Sequence, residues 1–256
     1  MSNKITNLDV SLFTLGGVDF LERVEGAQFD TDILDDLCRG VAQRYGAKKG
    51  VKKEFKFSCD ILQHVSSTCA SGLSLSAFTW DGSSVVSEIE SFDLDVTTEI
   101  KFGDGATEVF RWPQPTGTDY EIQVDKLITS NADWIQIAMD NNVTSIEAQL
   151  VLDVAGIDVS LPMLMSAASH SIDGGEMQME KVVFKKSGTP TVVTGDALLI
   201  EILTGDAYLA WAAETGAGDY SGNAIMSSAK LSVKNGALIK SAYEFFNQGA
   251  PSYVAA

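Results

Sequence analysis

Apolar and polar residues alternate with a period of two along most of this chain. Val51, Phe55, Phe57, Cys59 and Ile61 share one face, and Lys52, Glu54, Lys56, Ser58 and Asp60 the other, which is the pattern of a half-buried strand. The longest regular run sets Phe92, Leu94, Val96, Thr98, Ile100 and Phe102 against Asp93, Asp95, Thr97, Glu99 and Lys101. Gly103-Asp104-Gly105 then reverses the chain into a return strand at 108–112, predicting a long hairpin with an acidic outer face. Shorter strands are predicted at 8–14 and 18–24, joined at Leu15-Gly16-Gly17, and at 73–79. That last segment puts Leu73, Leu75 and Ala77 opposite Ser74 and Ser76, with Trp80-Asp81-Gly82 as its turn.

Pro113, Pro115 and Gly117 read as a loop, and strands are expected at 120–128, 134–139 and 146–154. In the last, Ile146, Ala148, Leu150, Leu152 and Val154 line one face. Ala155-Gly156 turns the chain into 157–165, and Met177, Met179 and 182–184 suggest a further strand. Thr194-Gly195-Asp196-Ala197 recurs as Thr204-Gly205-Asp206-Ala207, each before an apolar run (198–203 and 208–213), and reads as adjacent strands. Near the end, 225–233 and 238–246 flank Asn235-Gly236, the preferred pair for a two-residue type I′ hairpin turn.

One segment carries a helical period. Asp30, Thr31 or Asp32 can cap it, and Ile33, Leu34, Leu37, Cys38 and Val41 recur at helical spacing before Gly46. The following Gly46-Ala47-Lys48-Lys49-Gly50 has the small and cationic residues of a connecting loop. About a dozen strands, one helix and no βαβ rhythm predict a mainly β fold of packed antiparallel sheets or a β-barrel with one flanking α-helix. No linker divides the 256 residues into separate domains.

Composition narrows the function classes. With 45% hydrophobic residues the chain can bury a large core, and it lacks the composition of a disordered segment. Its 35 acidic against 18 basic side chains leave a net charge of −17, which disfavours a broad nucleic-acid-binding face or docking on an anionic membrane. The N-terminal residues lack the apolar core of a signal peptide and no stretch has the length of a membrane span, so a cytoplasmic origin is expected. Cys38, Cys59 and Cys69, an odd number in a long chain, read as free thiols, mostly buried.

Candidate chemistry is sparse. Cys59, His64 and Cys69 do not match a zinc spacing. His170 lies between Ser169 and Ser171, near Asp173 and Glu176, but no nucleophile-elbow pattern surrounds these serines. Gly103-Asp104-Gly105 and Gly216-Ala217-Gly218 are not followed by a phosphate-binding helix start. Asp35-Asp36 and the Asp93/Asp95 pair read as solvated surface. The expectation is of no catalytic, cofactor-binding or metal-ligating residue, and of a protein that is not an enzyme.

The organisation resembles the major tail proteins that form the tail tube of long-tailed bacteriophages. The resemblance rests on the strand pair around 10–24, the helix expected after it, the glycine- and lysine-bearing loop at 46–53, the strand Glu54-Phe55-Lys56-Phe57-Ser58-Cys59, and the hairpin 229–240 leading into Ser241-Ala242-Tyr243-Glu244-Phe245-Phe246. It implies orthogonally packed sheets whose strands join those of neighbouring copies in a ring, and rings stacked into a hollow conduit for DNA ejection. The implied partners are the chain itself as hexamer or trimer, other tail proteins such as the tape measure and tail terminator, and DNA only in transit, without a membrane or a cofactor. The implied place is the virion tail, after synthesis in the host cytoplasm.

Under that resemblance Asp93, Asp95 and Glu99 would face the lumen. Lys48, Lys49, Lys52 and Lys53 would form an inter-ring loop, and Phe245 and Phe246 would lie on an inter-subunit strand. The chain exceeds a minimal tube subunit, which leaves room for insertions or an internal duplication. A capsid decoration protein or an adhesin-like β domain would use the same strands. A carbohydrate-binding module would draw on Trp80, Trp112, Trp134 and Trp211, residues that burial tendencies place in a core.

Overall fold

The computed structural model describes residues 3–5, 10–38, 47–65, 68–69, 75–103, 110–128, 134–139, 147–171, 178–205, 207–216 and 218–255. Alternation becomes strand almost everywhere. In chain order these are β1 (Asn3–Ile5), β2 (Val10–Leu15), β3 (Val18–Asp19), β4 (Val24–Cys38), β5 (Ala47–Leu62), β6 (His64–Val65), β7 (Thr68–Cys69), β8 (Leu75–Trp80), β9 (Ser83–Ser84), β10 (Ile89–Gly103) and β11 (Trp112–Leu127). Helix α1 (Trp134–Met139) precedes β12 (Glu147–Val154), β13 (Ile157–Ser171), β14 (Met179–Lys186) and β15 (Thr191–Thr194). Helix α2 (Ala197–Thr204) precedes β16 (Tyr208–Thr215), β17 (Gly218–Lys234), β18 (Lys240–Asn247) and β19 (Ser252–Ala255).

All strands except the β6–β7 pair belong to one antiparallel sheet. Its main line of neighbours runs β1, β4, β5, β18, β17, β10, β11, β14, β13, β12, β8, β9. On one edge β17 pairs first with β16, through 218–225, and then with β10, through 228–234. A bulge between Met226 and Ser228, in its pairing with β18, marks the change of neighbour. Strand β16 in turn carries β2.

This double use of one edge lets the sheet bend over its own core. Trp211 of β16 therefore stacks on Phe55 of β5 at 5.8 Å, and Trp80 of β8 meets Phe184 of β14 at 4.5 Å, although neither strand pair shares a ladder. The expected barrel does not form. Among the described residues the pairings make a branched line that never returns to its own start, so the sheet is open and β4 and β13 are not joined.

Most predicted core faces are buried. Phe55, Phe57, Cys59 and Ile61 point inward, as do Phe92, Leu94 and Val96, and Leu150, Leu152 and Val154. Cys59 is a free, buried thiol; the side chains of Cys38 and Cys69 lie outside the described residues. In β8 the buried positions are Phe78 and Trp80, whereas Leu75 and Ala77 are half-buried. A register break opposite Asp153/Val154 changes which side chains face the core.

The helix expected at 30–41 is instead strand β4 as far as Cys38, its backbone paired with β5 from Val24↔Ile61 to Cys38↔Ala47. Cross-strand pairing over that length outweighs a weak local helical period. The loop read from Pro113, Pro115 and Gly117 is strand β11, paired with Phe102, Ile100 and Glu99 of β10. Prolines are tolerated there because, among the described residues, no second strand needs a donor on the far side.

Helices stand at two segments expected to be strands. In α2 the Asp196 side chain accepts from the Leu198 N–H at 2.9 Å, and Gly205 ends the helix in the left-handed region at φ 83°. Leu198, Leu199, Ile202 and Leu203 make its buried face. The Asn235-Gly236 turn is also not type I′. Gly236 alone has positive φ, at 74°, and the Ala237 N–H donates to the Lys234 carbonyl at 3.1 Å, as in a type II turn.

Candidate assembly surface

Two hairpins run beyond the body of the sheet. Among the described residues, 98–103 of β10 and 112–118 of β11 pair only with each other, as do 47–55 of β5 and their partners in β4, apart from a bridge between Lys53 and Phe110. The far end of the β10–β11 arm is tied to the base of the β4–β5 arm. The Arg111 N–H donates to the Lys53 carbonyl at 3.1 Å, its guanidinium meets Glu54 at 2.7 Å, and it lies over the Phe102 ring at 4.4 Å. Phe102 packs edge-on against Phe246 at 5.2 Å.

The lysines expected in a loop lie in the second arm. Lys48 and Lys49 stand in β5 opposite Leu37 and Asp36, and Lys52 and Lys53 are half-buried. The segment is a strand because its register with β4 continues past them; residue 46 falls outside the described residues.

The outer sheet face carries charges of opposite sign on neighbouring strands. Lys230 of β17 reaches Asp93 at 2.9 Å and Asp95 at 3.5 Å, and the hydrogen bond it donates to Asp93 holds its ammonium above the usual lysine range. Lys56 is likewise raised by its hydrogen bond to Asp32, 2.7 Å away. Lys185 faces Glu121 at 3.6 Å, and Lys240 pairs with Glu25. Asp93 and Asp95 therefore share a cation, while Glu99 stands exposed on the β10–β11 arm beside Gly117. Phe245 is core, stacked on Phe57 at 4.5 Å, because its parity in β18 points inward; only the half-buried Phe246 reaches the outer face.

Two polar clusters inside the molecule were not anticipated. In one, Lys126, fully buried, contacts Glu88 at 3.0 Å and Glu180 at 3.5 Å and lies 5.1 Å from the Trp134 ring. Glu180 also accepts the Trp134 and Ile135 N–H groups at 3.2 and 3.0 Å, fastening the start of α1 to β14. In the other, Asp196 accepts from Arg23 at 3.2 Å and Gln63 at 3.1 Å, and Gln63 also donates to Ser241 at 2.7 Å. That cluster fastens α2.

Strand parity would have exposed the first cluster. Lys126 continues the inward set Tyr120, Ile122 and Val124, and Glu180 precedes Val182 and Phe184 at the same parity. Charge compensation and helix anchoring account for the groups in both clusters. Trp80, Trp134 and Trp211 are core residues, while Trp112 is 43% exposed beside Gly249. Burial, with Asp119 adding, pushes the Tyr120 hydroxyl up to about 12.

No protein-family model matches the chain, and no curated protein matches it. Among solved structures it is weakly similar to a chain described as "Virion of native gene transfer agent (GTA) particle". The two share 12% identity at a TM-score of 0.39, over 48% of this chain and 97% of that one. Likeness at that level carries no argument about role.

Proposed function

We propose that this chain is a structural, non-enzymatic virion subunit that polymerises with its own copies into stacked rings, forming a tail tube through which DNA passes. One observation carries the reading: an open sheet of long strands that ends in unjoined edges and sends out two tied hairpin arms. An open strand edge is a template for pairing with another chain, and a closed ring of copies satisfies it without uncontrolled growth. The arms would then reach a neighbouring ring. The resemblance in sequence organisation points the same way.

The paired charges refine the picture of the lumen. Lys230 offsets Asp93 and Asp95, so repulsion of DNA phosphates in transit would fall mainly to carboxylates such as Glu99. Tape-measure and terminator proteins would be the partners at the ends of such a tube. Negative-stain electron microscopy of the purified protein across a concentration series tests the reading. Hollow filaments or stacked rings of constant diameter are expected. A small oligomer that binds only to a capsid lattice would replace it with a decoration role, and a glycan-binding monomer with a carbohydrate-binding one.

A further inference from the structure

The sheet contains one strand pattern twice. A constant shift of 65 positions carries β2, β3, β4 and β5 onto β8, β9, β10 and β11 end for end. A second shift, of 61, carries β12, β14 and β15 onto β16, β18 and β19, and sets Ile157 of β13 on Gly218 of β17. A helix precedes β12 and β16 alike. The neighbour order β4, β5, β18, β17 becomes β10, β11, β14, β13.

The irregularities coincide too. Breaks at Val24/Gly26 and Leu34/Asp35 match those at Ile89/Ser91 and Glu99/Ile100, and Met165/Ala167 matches Met226/Ser228. Bulges are specific local features, so their recurrence at fixed shifts does not follow from alternation alone. The same shifts superpose the buried pairs Phe13 and Phe78, Phe184 and Phe245, and Met165 and Met226. They also bring the two polar clusters together: Arg23 falls on Glu88 and Ser241 on Glu180, each beside its helix.

We infer that the chain carries one β unit twice, the second (75–194) inserted between β5 and α2 of the first, and that the joint uniting them, β17 to β10, recurs between chains as β13 of one copy to β4 of the next. The internal joint pairs Thr97↔Ser228 through Ser91↔Lys234. Carried by the two shifts, it predicts Asp32↔Ala167, Thr31↔Ala168, Asp30↔Ser169, Phe29↔His170 and Gln28↔Ser171 between copies. Among the described residues the β13 edge is open for this, since 167–171 pairs there with β14 alone.

Its residues fit the partner. Ala167, Ala168, Ser169, His170 and Ser171 include no carboxylate to repel Asp30 and Asp32. Ala168 and His170 are half-buried in the lone chain, whereas their counterparts Ala229 and Leu231, inside the formed joint, are about 1% exposed. On β4 the N-terminal strand β1 occupies the same edge, through Asn3↔Phe29, Lys4↔Gln28 and Ile5↔Ala27. A strand of three residues is a weak cover, so β1 guards the edge until a second copy displaces it.

Only closure of these joints into rings rests on the proposed tube function; the joint itself rests on its internal template. The test is an Asp30→Cys/Ser169→Cys variant, with and without residues 2–9, oxidised during assembly and read by peptide mass spectrometry and sizing. The expected result is an intermolecular disulfide joining positions 30 and 169, absent from a Gln28→Cys/Ala167→Cys control, and a lower assembly threshold without residues 2–9. Assembled particles lacking the 30–169 link would overturn the joint and leave the tube reading standing. Linked closed oligomers that never stack would support the joint and sink the tube. A folded chain that stays monomeric even without residues 2–9 would overturn the joint.

Discussion

Lys126 has no exposed surface and two carboxylates within reach, so its contribution depends on keeping all three groups together. Removing one member of a buried ion cluster leaves an uncompensated charge, which costs about 3–5 kcal/mol. Lys126→Met should destabilise the protein by that amount in urea unfolding, and adding Glu180→Gln should restore part of it; equal losses in the single and double variants would contradict the pairing. Phe57 packs on Phe29, Trp211 and Phe245. Phe57→Ala should cost about 3–5 kcal/mol through lost contacts and a residual cavity.

Tyr120 adds a pH dependence. Its hydroxyl lies 3.1 and 3.0 Å from the Pro162 and Gly188 carbonyls, and folding raises it to about 12 from an ordinary value of 10.0. The unfolded chain therefore releases the proton first, so this contribution is complete below pH 10 and declines as pH rises from 10 toward 12. Tyr120→Phe should be about 1 kcal/mol less stable at neutral pH and should lose less stability over that alkaline window, as measured by denaturant titration at each pH.

At the scale of elements, α2 depends on a single carboxylate used twice. Asp196 caps the first turn and also accepts from Arg23 and Gln63. Asp196→Ala removes a cap worth about 1 kcal/mol and takes one acceptor from the half-buried Arg23 and the buried Gln63, for a total of about 2–3 kcal/mol. Hydrogen exchange should show 197–204 losing protection ahead of the sheet; uniform loss would mean that the helix is held by its apolar face alone. That helix was legible in the sequence, because Asp196, the buried spacing 198, 199, 202 and 203, and Gly205 are start, face and stop signals. Taking the ten-residue echo as two strands obscured them.

The segment 30–41 shows the opposite case. Its local period favours a helix, and the facing residues of the next strand, β5, give its backbone groups strand partners that the period within 30–41 does not show. The arms share this property. Lys48, Lys49, Pro113 and Pro115 carry turn-like composition, yet each lies in a ladder set by register at the hairpin's base.

For the whole molecule, a net charge of −17 opposes bringing copies together. Screening shortens the reach of that repulsion to about 10 Å at 0.1 M salt. Assembly, followed by light scattering, should accelerate as salt rises from low ionic strength. Slowing instead would mean that attractive pairs across the interface dominate the net repulsion. The outer-face pairs, such as Lys230 with Asp93, are too exposed to hold the fold and should yield to salt with little loss of stability.

Alternation by itself determined that this chain is mostly antiparallel strand and which face of nearly every strand is buried, because side-chain parity and apolar burial are both local. The inward lysine and glutamate at 126 and 180 are legible on the same ground. Tertiary structure alone decided that the sheet stays open, that β17 serves two neighbours on one edge, and that 30–38 is strand. Those outcomes depend on which distant strands meet and in what register, and a one-residue slip of register reverses every face without changing the local pattern.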